Sequence, residues 1–275
     1  MGPKYVFFDI DGTLVSHVGT SHIPGATRRA VALLRQNGHI PAIATARSSF
    51  LTHRVARELD IDLLVCCNGA HILNGTEVLS ASWISDEALR LFRRAAPCCS
   101  DHPAAIDDRY VYTEDQDQEF RDYLNGQAGY SCIRPFTRLH RAFLLYAFSS
   151  GPWLPAVLET ASQDLALERT PHFTEARPAG TSKWAGILTV VRRFGAAPGD
   201  VVAFGDGTND VEMLRSASVG VAVGGAPDTI KAAADLVTND IDEGGILRAC
   251  IDLGLIDGPK DEGTPNFMGR NASCG

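Results

Sequence analysis

The stretch that decides the fold is Tyr5-Val6-Phe7-Phe8-Asp9-Ile10-Asp11-Gly12-Thr13-Leu14. Its opening is a continuous apolar run ending in an acid, the pattern of a parallel strand buried on both faces. In a doubly wound sheet, ligands gather at the carboxyl ends of the strands, so Asp9 and Asp11 are expected to face a binding crevice. Two carboxylates so close repel, and burial sharpens the repulsion, so the pair calls for a cation. Hard oxygen ligands beside a phosphate suit Mg²⁺, which keeps several of its waters. Gly12 lets the chain turn sharply away from the strand. An ordinary acidic loop after a strand has the same spelling, so the motif needs support from elsewhere in the chain.

Outward from that strand, the first third of the chain alternates strand and helix. Pro24 opens a helix with Thr27, Ala30, Val31 and Leu34 on one face, and Gly38 stops it. His39 to Thr45 reads as a second strand, and Ser48 or Ser49 as the cap of a helix running to about Leu59. Leu63 to Cys67 is a third strand, and Ala70 to Leu79 a hairpin turned at Asn74-Gly75.

From about Ser82 to Arg177 the rhythm changes. A helix over Asp86 to Ala95 precedes short strands near Ala104 and Tyr110 and a helix around Glu119 to Leu124. A strand over Ala142 to Phe148 and a helix around Leu154 to Ala161 follow, then strands over Leu165 to Glu168 and His172 to Ala176. Strands beside strands, mixed with helices, indicate an α+β unit.

Strict alternation resumes with a helix capped by Thr181 or Ser182, whose apolar face is Trp184, Ile187, Leu188 and Val191, ended by Gly195. Strand Val201 to Phe204, a helix from about Asn209, strand Val219 to Val223, a helix near Thr229 to Ala234 and strand Leu236-Val237 complete the pattern. The expected fold class is α/β: a doubly wound, Rossmann-like parallel sheet core over 1–81 and 178–258, split by an inserted α+β domain over 82–177. The polar tail 259–275 is expected to be disordered.

Three further pieces of chemistry join the first. Gly205-Asp206-Gly207-Thr208-Asn209-Asp210 again follows an apolar strand directly and opens a helix. Asp206 sits where it could complete a metal site begun by Asp9, and Asp210 could join through water or hold Asp206 in place. A glycine-rich turn with capping residues accounts for the glycines and one acid, and leaves two acids and an amide together unexplained. Thr45, in Ala44-Thr45-Ala46-Arg47, offers a hydroxyl and backbone N–H groups at a helix start, a natural phosphate grip. Lys183 falls in the first turn of a helix, where the partial positive charge disfavours it, so an anionic partner is expected.

The totals limit the partners. A net charge of −8 over 275 residues argues against nucleic acid, which demands clustered Lys and Arg. It leaves room for a small anionic substrate held by a local metal and a lysine. No apolar stretch approaches the length of a membrane span. The seven cysteines include the pairs Cys66-Cys67 and Cys98-Cys99 and no C-x-x-C, which is neither a disulfide framework nor a zinc pattern. A strand so near Met1 leaves no space for a signal peptide, so a cytoplasmic setting with reduced thiols is expected.

These four pieces, in this order and each at a strand end or helix start, resemble the haloacid dehalogenase superfamily, specifically the Cof-like phosphatases with the larger inserted cap. The resemblance extends through Asn68-Gly69-Ala70, Gly220-Val-Ala-Val-Gly224 and Ala234-Asp235-Leu-Val-Thr238. Its implications are a Mg²⁺-dependent phosphoric monoester hydrolase in which Asp9 is the nucleophile and Asp11 the general acid and base. It also implies that Asp9, Asp206 and the backbone carbonyl of Asp11 hold the metal, with Asp210 supporting, and that Thr45, the Ala46 N–H and Lys183 bind the phosphoryl oxygens. Asn209 then orients Lys183 or a phosphate oxygen. Ala46 departs from the family's usual Gly, and Gly225 from a common Asn. Specificity lies in the inserted segment, to which Arg47 adds a candidate substrate contact that could instead pair with an acid. Arg134 to Arg141 is a basic stretch that reads more readily as a solvated loop. A phosphomutase on the same scaffold and a non-catalytic metabolite sensor are the competing readings; phosphate release without a bisphosphate primer separates the first from a hydrolase.

Overall fold

The computed structural model describes residues 2–96, 102–126, 133–148, 159, 163–170 and 173–258. Strand β1 (Tyr5–Phe8) lies at the centre of an eight-stranded sheet, and its alternating side chains feed two separate cores. Val6 and Phe8 pack with α1 (Gly25–Gln36) and α2 (Ser49–Leu59) on one face. Tyr5 and Phe7 pack with Trp184, Ile187, Val190 and Val191 on the other. Helices on both faces of a mostly parallel sheet are the doubly wound arrangement that the continuous apolar strands demand.

The sheet continues through β2 (Ile40–Ala44), β3 (Leu63–Cys66) and the hairpin β4 (His71–Asn74) and β5 (Glu77–Ala81). Helix α1 buries Thr27, Ala30, Val31 and Leu34, the face its spacing predicts. The expected cap of α2 does not form. Ser48 holds the N-cap position with extended backbone, yet its fully buried hydroxyl accepts nothing from the helix, and Ser49 Oγ points instead to the Asp108 carbonyl at 3.4 Å.

A second, six-stranded sheet lies between β5 and the helix bearing Lys183. It is built from β6 (Pro103–Ile106), β7 (Val111–Tyr112), β8 (Ile133–Arg134), β9 (Leu144–Ala147), β10 (Leu165–Arg169) and β11 (Thr174–Pro178), in the order β10-β11-β9-β6-β7-β8. Its pairs are antiparallel except β7 with β8. Helices α3 (Asp86–Ala95) and α4 (Gln118–Gly126) belong to the same stretch. Strand β8 was not expected; two residues ending at Pro135 carry too little periodicity to read. The helix expected around Leu154 to Ala161 and the tail 259–275 lie outside the described residues, apart from Glu159.

The chain then returns to the first sheet through α5 (Lys183–Arg193), β12 (Val201–Gly205), α6 (Val211–Ser216), β13 (Val219–Ala222), α7 (Asp228–Lys231), β14 (Leu236–Val237) and α8 (Gly245–Asp252). Helix α8 packs on α1 through Ile246, Ala249 and Cys250, and its glycine start offers no side-chain cap to mark it in the sequence. The sheet order β14-β13-β12-β1-β2-β3-β4-β5 sets β12, β1, β2 and β3 side by side. All four run parallel. Their carboxyl ends, and the loops beginning at Asp206, Asp9, Thr45 and Cys67, therefore share one edge of the core.

Candidate active site

At that edge Asp9 continues the β1–β12 pairing, its N–H donating to the Phe204 carbonyl at 3.0 Å. The side chain is buried, and burial raises its pKa; the Lys183 ammonium opposes the rise, while Asp210 and Asp206 add to it. Lys183 is 1% exposed and donates to Asp9 Oδ1 at 2.8 Å and to Asp210 Oδ1 at 2.6 Å. These are the anionic partners its place in the helix called for. Burial alone would depress the lysine pKa, but Asp210 and Asp9 outweigh it and hold the ammonium protonated. Ser182 caps this helix by accepting from the Ala185 N–H, which fixes where Lys183 begins.

Asp206 completes the group. One carboxylate oxygen each from Asp9, Asp206 and Asp210 lie within 4.8 Å of one another. Asp206 Oδ1 accepts from the Thr13 hydroxyl at 2.6 Å, and burial pushes the Asp206 carboxyl up to about 6. Gly12 makes this approach possible: its φ is +81°, and a Cβ there would lie 2.2 Å from Asp206 Oδ2. Asp210 is committed elsewhere. Its Oδ2 accepts the backbone N–H groups of Asp206 and Gly207, and its Oδ1 accepts Lys183, so it braces the loop that presents Asp206. A hard divalent cation fits this donor set, because among the described residues three crowded acids have Lys183 as their paired cation.

The Asp11 carboxylate lies outside the cluster. It pairs with Arg47, whose Nε donates to Oδ2 at 2.7 Å and whose Nη2 meets Oδ1, and with His17 Nε2 at 2.9 Å. Burial would raise its pKa, but the Arg47 and His17 contacts bring it below the usual value. Arg47, the candidate substrate contact, pairs with this acid in the structure. Thr45 is buried, and its Oγ1 accepts the Arg47 N–H at 3.1 Å, with Ala46 half-buried between them.

Asn209 donates from Nδ2 to Asn68 Oδ1 at 3.1 Å. Asn68 stands in a left-handed turn, with φ of 51° at Cys67, 49° at Asn68 and 90° at Gly69. Gly69 packs on the start of α5 so closely that a Cβ would lie 2.1 Å from the Ser182 carbonyl oxygen. Asn68, Lys183 and Asn209 together line a cavity of about 390 Å³. Sequence reasoning overlooked Thr13 as a partner of Asp206, His17 beside Asp11, and Glu175 beside Asn68. Thr13 could have been found from its place in the acidic motif; His17 and Glu175 carry no local signal. Cys66, Cys67 and Cys250 are buried and free. Among the described residues no helix is long and apolar enough to cross a membrane.

Residues 6–144 and 154–250 match the model of the haloacid dehalogenase-like hydrolases. YkrA of Bacillus subtilis (strain 168) is 31% identical over 264 residues, which are 93% of this chain and all of the relative. Pyridoxal phosphate phosphatase YbhA of Escherichia coli (strain K12) is 28% identical, covering 87% of this chain and 94% of its own length. Among solved structures, the subclass IIB sugar phosphatase BT4131 superposes with a TM-score of 0.79 at 31% identity, over 92% of this chain and 100% of that one.

Proposed function

The chain belongs to the haloacid dehalogenase-like hydrolases, and on that premise we propose that it is a Mg²⁺-dependent phosphatase releasing inorganic phosphate from a sugar or cofactor phosphate monoester. The observation that carries this reading is Lys183, buried between Asp9 and Asp210 with Asp206 in the same acidic cluster. A buried lysine among acids is a phosphoryl clamp when an anion and a divalent ion share the pocket. The similarity to a sugar phosphatase and to a pyridoxal phosphate phosphatase supports the substrate class.

In this reading Asp9 Oδ attacks phosphorus in line. The bond to the leaving oxygen breaks, Asp11 gives that oxygen its proton, and the phosphoryl group stays on Asp9 as an aspartyl-phosphate. Water then attacks the same phosphorus, Asp11 takes its proton, and Asp9 is regenerated with release of phosphate. Thr45, the Ala46 N–H, Lys183 and Asn209 bind the phosphoryl oxygens. Asp9, Asp206 and the backbone carbonyl of Asp11 would hold Mg²⁺, with Asp210 bracing Asp206. When bound, the ion neutralises the acids and offsets charge on the transferring group.

Asp11 can donate a proton only after Arg47 and His17 release its carboxylate and it has taken up a proton from solvent. Arrival of substrate therefore has to draw Arg47 away, and Arg47 becomes a contact for the leaving group. Residues 82–177 act as the cap that selects the substrate, over a core of 1–81 and 178–258. The setting is the cytoplasm, where the buried thiols stay reduced.

The test is a hydrolysis screen of phosphorylated metabolites with Mg²⁺ and no bisphosphate primer. Phosphate release by the native protein and none by Asp9→Asn is expected. Turnover that survives in purified Asp9→Asn removes the nucleophile, and turnover only with primer transfers the assignment to a mutase.

A further inference from the structure

Glu175 is 2% exposed, and none of the chemistry above uses it. It stands in β11 of the second sheet, and burying a carboxylate is costly unless its oxygens are well partnered. Burial raises its pKa, against the pull of Tyr146, Arg177 and Asn68. Oε2 accepts the Tyr146 hydroxyl at 2.6 Å; Oε1 accepts Arg177 Nη1 at 3.2 Å and Asn68 Nδ2 at 2.7 Å.

The last of these bonds reaches from the second sheet into the first. An ionised carboxylate accepts and cannot donate, so it dictates that the Asn68 amide presents its nitrogen to Glu175 and its oxygen to the opposite side. That opposite side is Asn209, whose Nδ2 donates to Asn68 Oδ1. The backbone of Asn68 is held as well, since its N–H donates to the Thr45 carbonyl at 3.0 Å and the Cys67 N–H to the Arg47 carbonyl at 2.9 Å. With backbone and amide both fixed, Asn68 transmits the position of Glu175 to Asn209.

We propose that Glu175 is a positioning residue: through the Asn68 amide it orients Asn209 in the phosphoryl pocket, so that the second sheet helps assemble the phosphate site. This rests on the reading of Asn209 as a phosphate contact. If Glu175 were only a strut between the sheets, its replacement would lower stability and leave the affinity for phosphate unchanged in the folded protein.

The experiment measures the dissociation constant of inorganic phosphate by calorimetry, in Mg²⁺, with thermal melts confirming that each variant is folded. Glu175→Ala should weaken phosphate about tenfold, the scale of coupling within one hydrogen-bond network. Glu175→Gln keeps an acceptor for Asn68 and should recover most of that loss. A reciprocal pair tests the donor and acceptor roles directly and keeps side-chain volume should the alanine variant fail to fold. Asn68→Asp sets oxygen against oxygen and should weaken phosphate; adding Glu175→Gln restores a donor and should recover it. Independent, multiplying losses in the Asn68→Asp, Glu175→Gln double variant would overturn the proposal. If the native protein binds phosphate and folded Glu175→Ala binds it equally well, only this inference falls. No phosphate binding by the native protein removes the phosphate-site reading and this inference with it.

Discussion

The Lys183 ammonium sits 2.8 Å from Asp9 Oδ1 although 174 positions separate the two residues in sequence. The contact exists because β1 ends beside the start of α5, and Ser182 fixes the first turn of that helix. Replacing Lys183 by Met keeps most of the packing volume and removes the cation that pairs with Asp9 and Asp210 in the acidic cluster. Breaking a buried pair in this way typically costs about 3–5 kcal/mol, because the remaining charge is uncompensated. Losing one phosphoryl-binding donor costs about 10²–10³-fold in kcat. Denaturant melts and steady-state rates of Lys183→Met at neutral pH should show both losses; a variant with native turnover would remove the lysine from the mechanism.

The acidic cluster also sets a pH dependence. Asp206 titrates in the fold at about 6, above its ordinary value of 3.8. A carboxyl with a raised folded pKa contributes stability that is fully present below 3.8 and is lost as pH rises through about 6. Asp9 is shifted in the same direction. In EDTA the melting temperature should therefore fall between pH 4 and pH 6.5 through this cluster. Added Mg²⁺ binds the ionised acids, so its stabilising effect should grow over the same interval. Melts across that range with and without Mg²⁺ give the measurement, and a metal effect equal at every pH would contradict the linkage.

The site was legible in the sequence where local rules carry it. A short apolar run before Asp9 gives a buried strand, and the Thr27, Ala30, Val31 and Leu34 spacing gives the buried face of α1. A lysine at a helix start demanded an anion, and Asp9 and Asp210 supply it. What escaped depends on contacts between distant segments. His17 reaches Asp11 because the chain folds back through the Ser16–His22 bridge, and no periodicity announces that return. Glu175 reads as an ordinary residue in a strand of the second sheet; its meaning comes from Asn68, 107 positions away. Ser48 shows the opposite failure, a good capping residue at the right position whose hydroxyl is buried away from the helix.

Gly12 links the backbone to the acid cluster, and its replacement can be read in metal dependence. Alanine at φ +81° meets the left-handed penalty of about 1–2 kcal/mol. Its Cβ would also lie 2.2 Å from Asp206 Oδ2, so Asp206 has to move. Gly12→Ala should accordingly raise the Mg²⁺ concentration needed for half-maximal activity, beyond any loss of stability. An unchanged Mg²⁺ titration in the folded variant would place Asp206 outside the metal site.

Asp11 is assigned two proton transfers, and they can be separated by the leaving group. An alkyl phosphate needs its leaving oxygen protonated, whereas 4-nitrophenolate departs without help. Asp11→Asn should therefore slow alkyl phosphate hydrolysis by about 10²–10⁴-fold, the usual scale of general acid–base catalysis. With 4-nitrophenyl phosphate the first step should survive and the second, which needs a base for water, should fail. The expected trace is a burst of nitrophenolate equal to the enzyme, followed by slow turnover, with phosphoprotein trapped on acid quenching. Arg47 and His17 hold Asp11 in its present position and would lose their carboxylate in this variant, though an amide retains an acceptor for one of them. Equal steady rates on both substrates, without a burst, would show that Asp11 moves no proton and that its pairing with Arg47 is its whole role.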